Sequence, residues 1–130
     1  MRILGIGVDI IENKRLKRSI KNKNFLLRLF TLLEIKNSKR VKDKSIYFSK
    51  KFAAKESFSK ALGTGFRKGV NFKDIEILNN DLGKPYIRLN NKAKKTLLKI
   101  LKVKNFNLFL SISDEKEYSI AFTIIQVKNV

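Results

Sequence analysis

Phe48-Ser49-Lys50-Lys51-Phe52-Ala53-Ala54-Lys55-Glu56-Ser57-Phe58-Ser59-Lys60-Ala61-Leu62-Gly63-Thr64-Gly65 is the stretch on which the reading of this 130-residue chain turns. It predicts a helix over 48–62. Phe48 and Phe52 stand four residues apart, as do Ala54 and Phe58, with Leu62 after them, so apolar side chains line up along one side. Ala53, Ala54, Ala61 and Leu62 favour helix, and no proline interrupts. Gly63 and Gly65 supply the stop, because glycine accepts the left-handed backbone that ends helices. Glu56 and Lys60 lie one turn apart on a shared face. As a solvated ion pair they would contribute roughly 0.2–0.5 kcal/mol. Alternatively, they are a carboxylate that holds a cation beside an amine that holds a phosphate.

Upstream, residues 2–10 alternate with period two. Ile3, Gly5, Gly7 and Asp9 fall on one side, and Leu4, Ile6, Val8 and Ile10 on the other, which predicts a strand with one apolar face. Gly5 and Gly7 weaken a strand and so need a reason. Either they permit a bulge or close backbone packing, or something bulky approaches the backbone beside Asp9. Residues 12–24 are strongly basic, with Ile11, Leu16 and Ile20 as a thin apolar stripe, and their first part reads as a surface helix. Residues 25–30 suggest a short buried helix. Thr31-Leu32-Leu33-Glu34 matches a capping box that opens a helix to about residue 40, and 41–45 read as a polar connection.

Downstream, 66–73 read as a loop. A strand at 75–78, turn residues at 79–85 and a strand at 86–89 make a hairpin. Residues 91–102 fit a helix buried through Ala93, Leu97, Ile100 and Leu101. Strands at 108–113 and 118–127 form a second hairpin around 114–117. The order β-α-α-α-β-β-α-β-β predicts one α+β domain over 1–130, with a mainly antiparallel sheet and helices packed on one face.

Composition narrows the function classes. Hydrophobic residues make up 43% of the chain and aromatic residues 10%, enough for a core. No apolar run approaches the length of a membrane span. The N-terminal apolar run is short and meets Asp9, which argues against a signal peptide, and there is no cysteine. These features favour the cytoplasm. Thirty Lys and Arg against eleven Asp and Glu give a net charge of +19, a field that attracts polyanions. Histidine is absent, so acid–base chemistry falls to carboxylates, lysine, tyrosine or water.

Acidic residues are scarce, so Asp9 on a glycine-cleared strand and Glu56 among lysines stand out. Two carboxylates with phosphate oxygens and water form the coordination that Mg²⁺ prefers. Lys51, Lys55 and Lys60 are available on the same helix to hold phosphates. From the residues alone the inference stops at a candidate Mg²⁺–phosphate site.

Gly5-Ile6-Gly7-Val8-Asp9-Ile10, followed by Arg15, resembles the N-terminal signature of the bacterial holo-[acyl-carrier-protein] synthases, and the 52–65 stretch is similar to their second signature. Gly83-Lys84-Pro85 and Ser111-Ile112-Ser113 match two shorter landmarks. The resemblance runs through essentially the whole chain. It implies a 4′-phosphopantetheinyl transferase that uses Mg²⁺ and coenzyme A to modify an acidic acyl carrier protein in fatty-acid biosynthesis. It places the metal on Asp9 and Glu56 and the catalytic set on Asp9, Glu56 and Lys60. Coenzyme contacts fall on Lys51, Lys60, Gly63, Gly65, Lys84, Pro85 and Asp114. It also implies a homotrimer with each active site at a subunit interface. The net charge then finds its partner in the carrier, and Arg15, Arg18 and Lys21, spaced by three, form the expected docking face.

The family usually carries histidine at the position of Asp114. An aspartate there repels a phosphate unless it is protonated or recruited to the metal. Ser57 stands where the family more often has alanine. Competing readings are a small basic nucleic-acid-binding protein, which leaves the settings of Asp9 and Glu56 unexplained, and a family member that has lost activity.

Overall fold

A computed structural model describes residues 2–63, 65 and 69–127. The strands are β1 (Arg2–Glu12), β2 (Ile75–Asn79), β3 (Pro85–Leu89), β4 (Phe106–Asp114) and β5 (Tyr118–Val127). The helices are α1 (Asn13–Ser19), α2 (Lys23–Leu29), α3 (Leu32–Ser38), α4 (Lys44–Leu62) and α5 (Asn91–Leu101). The α+β class and the order of the strands follow the expectation, and four helices, three short ones and then the long one, stand between β1 and β2. Thr64 and residues 66–68, part of the expected 48–65 stretch and of the 66–73 loop, lie outside the described residues. Phe72–Asp74 forms one 3₁₀ turn.

Local chemistry sets the helix boundaries. Asp43 accepts from Ile46 N at 3.0 Å, so α4 starts at Lys44 and takes in part of the expected polar connection. Gly63 ends it with φ of 76°. Asn22 accepts from Asn24 N and Phe25 N and opens α2, which confines α1 to Asn13–Ser19. Lys21 therefore lies in the turn after α1 and not on its face. The capping box forms as read: Thr31 Oγ1 accepts from Glu34 N at 3.2 Å, and Glu34 Oε1 accepts from Thr31 N at 2.9 Å.

Both sheets are antiparallel, but there are two of them. One has strand order β1-β5-β4; the other is the β2-β3 hairpin. Helix α4 crosses one face of the three-stranded sheet, and Phe48, Phe58, Ala53 and Ala61 join Ile125 and Ala121 in the core. Each large apolar side chain buried there contributes about 1.5–3 kcal/mol.

The glycines of β1 face α4, and the bulky neighbour is the helix itself. A Cβ on Gly7 would stand 1.8 Å from Ser57 O, and one on Gly5 would stand 1.8 Å from Ala61 O. Close backbone packing is thus the reason for both. Ser57 is accommodated at this interface: its hydroxyl donates to Ala54 O at 2.8 Å and pairs with Thr123 Oγ1 at 2.6 Å.

The apolar side of β1 points the other way. Ile6 is 57% exposed and Ile10 61%, and Val8, Phe109, Ile120 and Phe122 are exposed beside them. Register puts Ile6 and Phe109 in line through Ile124, and sets Val8 opposite Phe122 and Ile10 opposite Ile120. The apolar side of β1 is thus part of a continuous exposed apolar surface.

Candidate active site

Asp9 and Glu56 reach one cavity from two elements. The cavity holds about 210 Å³ and is lined by Asp9, Ile10, Ile11, Arg15, Phe52 and Glu56. Pairing with Ala121 on β5 fixes Asp9 on β1, and the glycine contacts set the height of α4 above it. Burial raises the Glu56 carboxyl, and the nearby Asp9 charge raises it further, against Lys60 and Arg15. That mutual repulsion marks two carboxylates aimed at a shared space. Among the described residues no group of three or more Asp, Glu, His or Cys gathers, so a cation here would take two carboxylate oxygens and fill the rest with water and phosphate. This donor set fits Mg²⁺, which keeps several waters.

The lysines of α4 separate into different roles. Lys60 Nζ lies 3.1 Å from Asp9 Oδ1, and no ion pair joins it to Glu56 among the described residues. Lys55 is fully buried: it donates to Glu34 Oε1 at 2.7 Å, to Leu29 O at 2.8 Å and to Phe72 O at 3.1 Å. It cannot also hold a phosphate, and the expectation for it is corrected. Glu34 Oε2 accepts from Ile77 N at 2.9 Å, so this buried pair ties α2, α3, β2 and the 3₁₀ turn to α4. Its hydrogen bonds are what make a buried charge pair tolerable. The capping box signalled Glu34; nothing in the sequence signalled its second role.

Lys51 is 5% exposed and donates to Ile77 O. It also lines a second cavity of about 150 Å³ with Tyr47, Lys50, Asn79, Gly83, Pro85, Ile112 and Asp114. Asp114 is not isolated there. Lys50 Nζ stands 3.7 Å from its Oδ1 and offsets its charge, and sequence reasoning had passed over Lys50. The hairpin presents Pro85 to this cavity, and Lys84 is exposed at its turn.

The predicted site residues therefore form two groups. Asp9, Glu56, Lys60 and Arg15 meet on the β1 side of α4, with Gly63 and Gly65 at or just beyond the end of that helix. Lys51, Pro85 and Asp114 meet on the β4 side. Between them α4 lies over β5, bound through Ser57 and Thr123. Arg15 stands at the first cavity. Arg18 is exposed near the end of α1, and Lys21 follows in the turn.

With this geometry in place, residues 5–123 match the family model described as the 4′-phosphopantetheinyl transferase superfamily. The chain belongs to that superfamily. It is 55% identical over 128 residues to a holo-[acyl-carrier-protein] synthase of Pelagibacter ubique, covering 98% of this chain and all of that one. Among solved structures, a holo-[acyl-carrier-protein] synthase from Neisseria meningitidis superposes with a TM-score of 0.86 at 35% identity, covering 96% and 99% of the two chains. One from Bacillus anthracis, in complex with CoA (3′,5′-ADP), gives 0.80 at 34% identity, covering 97% and 98%.

Proposed function

We propose that this chain transfers 4′-phosphopantetheine from coenzyme A to a serine hydroxyl of apo acyl carrier protein and releases adenosine 3′,5′-bisphosphate. The observation that carries the reading is the meeting of Asp9 and Glu56 beside Lys60, in a chain whose relatives are named for this synthesis. The serine hydroxyl gives up its proton, to water or a carboxylate, and its oxygen bonds to the phosphorus next to the pantetheine. The bond from that phosphorus to the bridging oxygen breaks, and the bisphosphate carries the electron pair away. Such a transfer needs positioning and charge neutralisation more than covalent help. Asp9 and Glu56 would hold Mg²⁺, which supplies charge neutralisation at the pyrophosphate. Lys60 holds a non-bridging phosphate oxygen, with Gly63 and Gly65 beside it.

The remaining coenzyme contacts, Lys51, Lys84, Pro85 and Asp114, belong to a neighbouring subunit in this reading. Their separation from Asp9 by the body of α4 supports a site shared between protomers of a homotrimer. The exposed apolar face of the three-stranded sheet supports subunit contact, because apolar surface of this kind marks an interface. A nucleic-acid platform would pair its aromatics with cations. Here Phe109 and Phe122 are set among Ile6, Val8, Ile10 and Ile120 instead. The acidic carrier docks over Arg15, Arg18 and Lys21, where exposed charge steers encounter. No helix among the described residues is long and apolar enough to cross a membrane. A cytoplasmic setting suits coenzyme A and carrier.

The test is incubation with coenzyme A, Mg²⁺ and apo carrier, followed by mass spectrometry of the carrier. We expect a gain of one phosphopantetheine, abolished in Asp9→Ala and in Glu56→Ala. No gain with the unaltered chain would overturn the reaction; full activity in either variant would overturn the metal assignment.

A further inference from the structure

Lys60 stands one helical turn from Glu56, yet its ammonium crosses to Asp9 on the neighbouring strand. The two ends of this contact differ in freedom. The Asp9 side chain is 16% exposed, on a strand paired at that residue with Ala121. The Lys60 side chain is 56% exposed, in the last turn of α4, and ends a flexible four-carbon stem. Lys60 can leave; Asp9 cannot follow.

We infer that Lys60 is a placeholder cation: in the free chain it occupies the carboxylate that a divalent ion requires, and it leaves Asp9 for a coenzyme phosphate when ion and coenzyme bind together. The inference rests on the metal and coenzyme site proposed above. Asp9, Glu56, Lys60 and Arg15 sum to no net charge around the first cavity. A divalent ion arriving there places two positive charges beside the ammonium, and like charges at such distances repel. The ammonium then needs another anion. α4 ends three residues beyond Lys60, at Gly63, so a phosphate at that end of the helix lies within the sweep of the stem. Lys60 thus has two states. Ion and coenzyme each favour the second state and so help one another bind. The help is reciprocal, because it is a coupling free energy.

The experiment titrates the full chain with Mn²⁺, followed by the electron paramagnetic resonance of the free ion, with and without adenosine 3′,5′-bisphosphate. Lys60→Met keeps the stem and removes the charge. Without nucleotide it should bind Mn²⁺ about two- to five-fold tighter, the range expected from losing one exposed ion pair. The tightening of Mn²⁺ by nucleotide should shrink by at least the same factor. Lys99→Met removes equal charge from the exposed surface of α5 and should leave both values unchanged. Lys60→Met binding no tighter than the unaltered chain, or Lys99→Met tightening equally, would overturn the placeholder and leave the metal site standing. Absence of Mn²⁺ binding to the unaltered chain under both conditions would overturn the metal site and the placeholder together.

Discussion

Lys51 carries its charge against its surroundings. Burial pushes its ammonium down to about 8, from an ordinary 10.5, although it donates to Ile77 O and lies 4.7 Å from the Tyr47 ring centroid. Between those two values the unfolded chain binds more protons than the folded one, so stability from this group rises with pH across the window. Below about pH 8 the cost of the buried charge is fully present. Lys51→Met removes the titrating group. From pH 8 to 10 the unaltered chain should gain on the order of 2 kcal/mol relative to the variant, read from denaturant midpoints. Parallel pH profiles would contradict this account. Asp9 and Glu56, which the structure brings to one cavity, stood out in the sequence because scarce carboxylates in odd settings ask for a reason, and Lys60 stood out one turn from Glu56. Lys51 and Lys55 were not, since α4 is buried around most of its circumference, well beyond the apolar residues that line up in the sequence, so that line does not say which lysines point inward.

At the scale of elements, the closeness of α4 to β1 sets the distance from Glu56 to Asp9. All three nearest contacts that Gly7 protects are to helix backbone: an added Cβ would lie 1.8 Å from Ser57 O, 2.6 Å from Ala61 N and 2.9 Å from the Ser57 carbonyl carbon. Backbone of a packed helix cannot swing aside as a side chain can, so Gly7→Ala must lift α4 or shift β1. Overpacking usually costs about 1–3 kcal/mol, and this case belongs at or above the upper end. Gly63→Ala is the contrast. Among the described residues its Cβ meets nothing within 4 Å, and the left-handed backbone opposes it, at about 1–2 kcal/mol. Thermal unfolding should therefore rank Gly7→Ala the more destabilised, and only Gly7→Ala should also weaken Mn²⁺ binding. The reverse order would mean that the helix is free to ride up. The elements were largely legible where chemistry is local: turn residues marked the first hairpin, alternation on either side of 114–117 marked the second, and Thr31 with Glu34 marked a helix start. The facing of β1 was not legible. Alternation says that two sides differ but not which one meets the core, and here the glycine side does because a helix backbone needs the room.

At the scale of the molecule, the residues that would hold one coenzyme stand on opposite flanks of α4, while the far side of the sheet is apolar and exposed. The ring of three protomers proposed above would resolve both facts. It would cover the apolar face, and it would bring the Asp9 flank of one subunit to the Asp114 flank of the next through a heterologous interface. The alternative is that each chain works alone and the second cavity has no part in the reaction. Subunit mixing separates the two. Glu56→Ala disables the first flank. Asn79→Trp fills the second cavity with an indole from its wall, without touching the first. Each variant alone should be nearly inactive in the shared arrangement. Co-refolded in equal amounts, they form mixed rings in which some junctions join an intact first flank to an intact second one. Random assembly makes that about one junction in four, so about a quarter of the unaltered rate should return. Chains that work alone give no such recovery, and Asn79→Trp should then be active by itself. Recovery should also disappear when Val8→Lys and Phe122→Lys are added to both partners, because buried lysines on the apolar face prevent the ring from closing. Recovery that survived those lysines would mean that the subunits meet through a different surface.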